Sequence, residues 1–263
     1  MSNKPGKTTI LDLPPELIDQ IADNLFLEWK QLRLTCRYLY NTTTPAWAAF
    51  WFGKLDTDLS ETSFTRLERI VNHGLLAQHV KKLSIGGHYN DHEIGKDVNW
   101  QRTPDGILVP AQPATARLRA IIAGLPNCRL FHIQVRGDGE PYRIPGPHTP
   151  NPLSVSEAAG ILIGVLAGLK REITEFGIVG VDSAQGYPVC ERRQPTSLDG
   201  LVAAALAVPR FQHLWSGLRS LIVTAQALKF FYDEDVSPAA ELAVEIAKHA
   251  RKLRRLEIGY RRD

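Results

Sequence analysis

The sequence predicts a mixed chain of class α+β / α/β: three N-terminal helices, then irregular helix–strand units whose strands form a short parallel sheet. Three observations carry this expectation. A proline-led amphipathic stretch lies near the start. A pattern apolar-x-x-apolar-x-apolar recurs five times downstream. A helix-like segment precedes each copy. Alternating helices and short strands imply parallel strands joined by helical crossovers. Equal phasing favours a stack in which each unit buries one face on its neighbours.

Residues 1–9 are polar and are expected to form a disordered leader. Residues 10–52 read as a helical domain. Its first helix lies in ILDLPPELIDQIADNL, Ile10 to Leu25. Proline is tolerated in a helix's first turn, where its missing N–H has no intrahelical partner. Leu17, Ile18, Ile21, Ala22 and Leu25 then share one stripe, with Glu16, Asp19, Gln20, Asp23 and Asn24 opposite. The next stretch, Leu27 to Pro45, places Leu32, Cys36 and Leu39 on one helical face, and Asn41 to Pro45 is expected to stop it. Ala46 to Phe52 then crowds Trp47, Phe50 and Trp51 together. About forty residues rarely bury that much apolar surface alone, so the segment is expected to lean on the remaining chain or on a partner.

Residues 53–263 carry the repeat. Its copies are VKKLSI (Val80 to Ile85), CRLFHI (Cys128 to Ile133), ITEFGI (Ile173 to Ile178), LRSLIV (Leu218 to Val223) and LRRLEI (Leu253 to Ile258). Their starts lie 48, 45, 45 and 35 residues apart. Helices are expected at Phe64–His73, Thr115–Ala123, Ser156–Leu169, Leu198–Val208 and Pro238–Arg251. Long loops follow the strands at Gly86–Pro113, Arg136–Pro152 and Asp182–Thr196. In a parallel sheet they emerge at one edge, and loops of that length are uncommon unless functional or disordered. Side chains between the buried strand positions, such as Ser84, His132, Gln134, Glu175 and Thr224, are expected on an open face. Small and neutral residues there suit a broad contact surface better than a catalytic pocket.

Composition narrows the function classes. Lys and Arg number 31 against 28 for Asp and Glu, so the chain has no general attraction for nucleic acid or acidic membranes. Cys36, Cys128 and Cys190 are odd in number and widely spaced, against a disulfide framework or a zinc site. The longest apolar run, Ala158 to Leu169, is too short to span a bilayer. An intracellular chain is expected.

Leu13-Pro14-Pro15-Glu16-Leu17-Ile18, then Ile21 and Leu25, then Leu32-Arg33-Leu34-Thr35-Cys36-Arg37 resemble an F-box, of the type common in fungi with an LPPEL start and an LRLTCR segment. The resemblance covers about forty residues, Ile10 to roughly Trp51. Leu25 to Leu32 looks about one residue shorter than the usual form. The resemblance implies docking on the Skp-family adaptor of a cullin-based SCF ubiquitin ligase, in the cytoplasm or nucleus, with a target protein held by the rest of the chain. Adaptor-binding residues on this view are Leu13, Pro14, Pro15, Leu17, Ile18, Ile21, Leu25, Leu32, Leu34, Cys36 and Leu39. A helix-in-groove contact of this kind concentrates its energy in a few apolar anchors. The later region resembles a degenerate leucine-rich repeat. Its period is longer than regular repeats, and His88, Arg136, Val181, Gln226 and Arg261 stand where Asn or Cys is usual.

Enzymatic signatures are weak. His88, His92 and Glu93 lack the helical context of a zinc protease, and Lys96 replaces the second histidine. Each cysteine reads as a small hydrophobe, although Cys190 lies near Arg192 and Arg193. Arg136-Gly137-Asp138 reads as a turn. Lys248 to Arg262 carries eight Lys, Arg or His against Glu257 alone, and reads as a helix C-terminus plus a strand edge. No cofactor or metal is expected. The expectation is therefore a non-enzymatic substrate-recognition subunit. The alternatives are an F-box-bearing scaffold that delivers no substrate, or an α/β-domain hydrolase or metal enzyme. Target contact is expected from loop aromatics and arginines: His88, Tyr89, Trp100, Arg136, Tyr142, Arg143, Tyr187, Arg192 and Arg193.

Overall fold

The computed structural model describes residues 9–25, 28–86, 94–136, 153–181, 211–224 and 238–259. The chain divides into two compact units, Met1–Gly53 and Lys54–Asp263.

The first unit holds a 3-10 turn at Ile10–Asp12 and three helices: α1 (Pro15–Asn24), α2 (Trp29–Thr35) and α3 (Arg37–Phe52). Asp12 closes a capping box on Thr9, accepting from its backbone N–H at 2.7 Å. Two sequence expectations are corrected. Cys36 does not continue a helix: its backbone is fully extended (φ −158°, ψ 163°) and separates α2 from α3. Pro45 does not stop a helix but lies inside α3. Proline removes only the bond that Asn41 would have accepted, and both residues are exposed, so water can satisfy that carbonyl. On the inner side the Thr43 hydroxyl donates to the Leu39 carbonyl at 2.7 Å. Ile18, Trp29, Leu39 and Ala48 form the small core.

The second unit is a six-stranded, all-parallel sheet in sequence order. Its strands are β1 (Lys54–Thr57), β2 (Lys82–Ile85), β3 (Leu130–Arg136), β4 (Glu175–Val181), β5 (Ser220–Thr224) and β6 (Arg255–Gly259). The five expected strands are present, and β1 is an addition that the repeat pattern misses. The described helices are α4 (Glu61–Asn72), α5 (Gly74–His79), α6 (Pro113–Ala123), α7 (Val155–Leu169), a short α8 (Phe211–Leu214) and α9 (Pro238–His249). The expected helix at 198–208 lies outside the described residues. Sequential parallel order with crossovers of one hand places the helices on one sheet face.

The core lies between helices and sheet. Leu83, Phe131, Phe176 and Leu221 stand side by side in register and are all fully buried. Phe64 and Leu67 of α4, Leu118 and Ile122 of α6, Leu162 and Leu166 of α7, and Leu242 and Ile246 of α9 are buried with them. Trp215 sets its ring edge-on to Phe176 at 5.0 Å. Helix α7 starts on a capping box: the Ser154 hydroxyl accepts from Glu157 N–H at 3.1 Å, and Glu157 accepts from Ser154 N–H at 2.8 Å. Glu157 also pairs with Arg102 (Nη2 to Oε2, 3.0 Å), which ties the stretch before α6 to the start of α7.

Candidate functional site

The first unit exposes apolar side chains out of proportion to its length. Among the described residues, eight of the thirteen exposed large apolar side chains precede Gly53, so its surface is the place to look for a partner. Leu34 is 74% exposed, Phe50 56% and Trp51 51%; Leu17, Leu25, Tyr38 and Tyr40 are also exposed.

The residues expected to bind an adaptor fall into two classes. Ile18 and Leu39 are buried. Leu13, Ile21, Leu32 and Cys36 are half-buried, and Pro14, Leu17, Leu25 and Leu34 are exposed. Pro15 opens α1; its side chain lies outside the description. The buried pair therefore supports the unit from within, while the exposed leucines are available for contact.

Arg33 explains how α2 is held. Its guanidinium lies 3.7 Å from the Trp47 ring centre and 4.7 Å from that of Tyr40. Its Nη2 donates to the Thr44 hydroxyl at 3.1 Å. Burial lowers the Arg33 pKa, and Tyr40 opposes that shift. Desolvated cation–π contacts of this kind are worth up to about 2 kcal/mol. The LRLTCR stretch thus uses Arg33 to pack α2 on α3, leaving Leu34 outward. Trp29 meets Phe50 edge-on at 5.4 Å, a second link between the same helices.

In the second unit the expected open sheet face is partly closed. Ser84, His132 and Thr224 are buried. The reason lies in their neighbours. A Cβ on Gly86 would stand 2.6 Å from the Gln134 Cβ, and one on Gly177 would stand 3.1 Å from the His132 ring. Long side chains therefore lie over glycines on adjacent strands. Gln134 Nε2 reaches across β2 to Asp56 Oδ1 at 3.1 Å. His132 Nε2 lies 2.8 Å from Glu175 Oε1. That hydrogen bond, foremost, holds the Glu175 carboxyl below its ordinary pKa against the opposing effect of burial. The arrangement is a polar lattice that ties β1, β3 and β4 together, and sequence spacing alone did not reveal it.

Of the residues expected to contact a target, Trp100 is buried, and its indole N–H donates to the Gly95 carbonyl at 3.0 Å. It fastens the stretch after β2 inside the unit, beside Phe64 at 6.5 Å, instead of presenting a contact. Arg136 ends β3, and its side chain lies outside the description. His88, Tyr89, Tyr142, Arg143, Tyr187, Arg192 and Arg193 lie outside the described residues, as do His92 and Glu93. Among the described residues no group of three or more His, Cys, Asp or Glu could hold a metal, and no helix is long and apolar enough to cross a membrane. The Cys128 thiol is pushed up to about 12 by burial, which keeps it in the unreactive protonated form at neutral pH.

Comparison with protein-family models, with curated proteins and with solved structures finds no match to this chain.

Proposed function

We propose that this chain is the substrate-recognition subunit of an SCF-type cullin–RING ubiquitin ligase, docking a Skp-family adaptor through residues 10–52 as an F-box and holding a target protein with the sheet unit. The single observation that carries this proposal is the motif pair, Leu13–Ile18 leading into α1 and Leu32–Arg37 running from α2 into α3, in a unit that leaves Leu17, Leu25 and Leu34 exposed. Apolar anchors left outside a closed core are what a helix-in-groove partner requires. In the second unit the parallel strands follow one another in sequence order, as in a leucine-rich repeat, which supports a recognition surface.

The test is capture of a purified Skp-family adaptor by the full chain, followed by assembly with its cullin. Stoichiometric capture is expected. A chain that folds but leaves the adaptor unbound overturns the proposal. An F-box-bearing scaffold would capture the adaptor equally. Ubiquitin transfer to a co-purified protein in the reconstituted ligase distinguishes the two.

A further inference from the structure

The turn between α9 and β6 borders a cleft of about 470 Å3 lined by Arg219, Arg251, Lys252, Leu253 and Arg254. We propose that this cleft is a docking site for a short acidic peptide segment of another protein.

The sheet itself builds the site. One residue before each strand, backbone hydrogen bonds continue the ladder. Arg129 N–H donates to Lys81 O at 3.1 Å, and Thr174 N–H to Arg129 O at 3.0 Å. Arg219 N–H donates to Thr174 O, and Arg254 N–H to Arg219 O, both at 2.9 Å. Neighbouring positions in such a row are about 4.8 Å apart. The fold therefore fixes Arg219 beside Arg254, although 35 residues separate them. The turn after α9 then brings Arg251 and Lys252 to the same place.

All four cations are exposed, and among the described residues none is paired with a carboxylate. Other cations nearby are partnered: Arg129 has Glu172 at 2.9 Å, and Arg255 has Glu257. Four like charges gathered around one cleft repel one another and do nothing for folding. The C-terminus of α9 offers only about half a negative charge. Compensation of that helix end accounts for one cation at most.

The limits of the patch select its occupant. Along the row beyond Arg219 comes the neutral Thr174, then Arg129, already satisfied by Glu172. The free positive charge is thus two strands wide. A duplex uses many phosphate contacts, and a single strand needs aromatic platforms for its bases. Among the described residues the cleft has no aromatic lining, and Leu253 is its apolar part. Three guanidinium forks match carboxylates in bidentate geometry. An extended peptide carrying carboxylates at alternate positions presents them on one side. This site belongs to the second unit, and the proposal does not depend on the adaptor reading.

The probe is a fluorescein-labelled peptide of alternating glutamate and serine, titrated with the full chain by fluorescence anisotropy. Saturable binding is expected, weakening as salt is raised. Joint Arg219→Gln and Arg254→Gln should weaken it about tenfold, the scale of two exposed ion pairs. Joint Arg251→Gln and Lys252→Gln, placed in the turn outside the strands, should give a loss of the same order, so the outcome does not hang on the folding of one variant. Equal binding of the glutamine–serine peptide overturns the proposal. So does full affinity in either folded variant, or preferential binding of a single-stranded oligonucleotide or a phosphopeptide.

Discussion

Leu34→Lys separates partner binding from folding. Leu34 is 74% exposed in the last turn of α2, so it loses little burial on substitution. Lysine is close to leucine in helix propensity, and a cation near a helix C-terminus is favourable by a few tenths of a kcal/mol. The stability change should stay within about 0.5 kcal/mol. In the proposed adaptor complex the same leucine, if fully buried, would contribute about 1.5–3 kcal/mol. Its loss should weaken binding by roughly tenfold to more than a hundredfold. Ile18→Ala is the opposite case. Ile18 is 0% exposed, and truncation of a buried isoleucine costs about 2–5 kcal/mol. A helical unit of this size has little stability in reserve. Calorimetric titration with a Skp-family adaptor reads the first effect, and urea unfolding followed by circular dichroism reads the second. Full-affinity binding by Leu34→Lys would refute the docking role of the exposed leucine. Unfolding by Leu34→Lys, with Ile18→Ala left intact, would refute the division into core and contact residues.

Phe176→Ala should lower the stability of the sheet unit by about 3–5 kcal/mol, because it empties a fully buried site and removes the edge-on contact with Trp215; the urea midpoint measures it. Ser154→Ala should cost about 1 kcal/mol by removing the cap of α7. Glu157→Ala should cost more in the same assay, since it also removes the ion pair between Glu157 and Arg102. Glu175 gives a pH dependence. Its folded pKa is depressed, chiefly by the hydrogen bond to His132, so its contribution is present above the unfolded value and is lost as pH falls through the folded value. Stability measured through the acid range should therefore decline less steeply in Glu175→Gln than in the parent chain.

The five repeated strands were legible because each places an apolar triplet in a fixed phase, and the parallel order followed from the helices between them. Strand β1 was not, because Lys54–Thr57 offers only Leu55 and Thr57 to the core. The break at Cys36 was invisible because nothing in cysteine opposes a helix. Pro45 was misread because proline stops a helix only where its neighbours cannot hold the turn, and here Thr43 and Thr44 bond back to Leu39 and Tyr40. The apolar stripe gave the motif-bearing helices but not the division between Ile18 and Leu34. That division depends on where α3 lies, a long-range fact. Trp100 shows the same limit: an aromatic in a long connection reads as a contact until a carbonyl is found within reach of its indole.

The strand order carries a consequence for how the sheet comes apart. Among the described strands none is inserted between two earlier ones; β6 pairs with β5 over five residue pairs, and its Leu256 and Ile258 stand half in solvent. Opening can proceed from that end one strand at a time without unthreading any other. Strands β3 and β4, zipped over seven pairs, form the deepest bond in the series. Amide exchange should accordingly run as a wave, reaching β6 first and the β3–β4 seam last, and the molecule should melt from its edge inward like a ply peeled from a laminate.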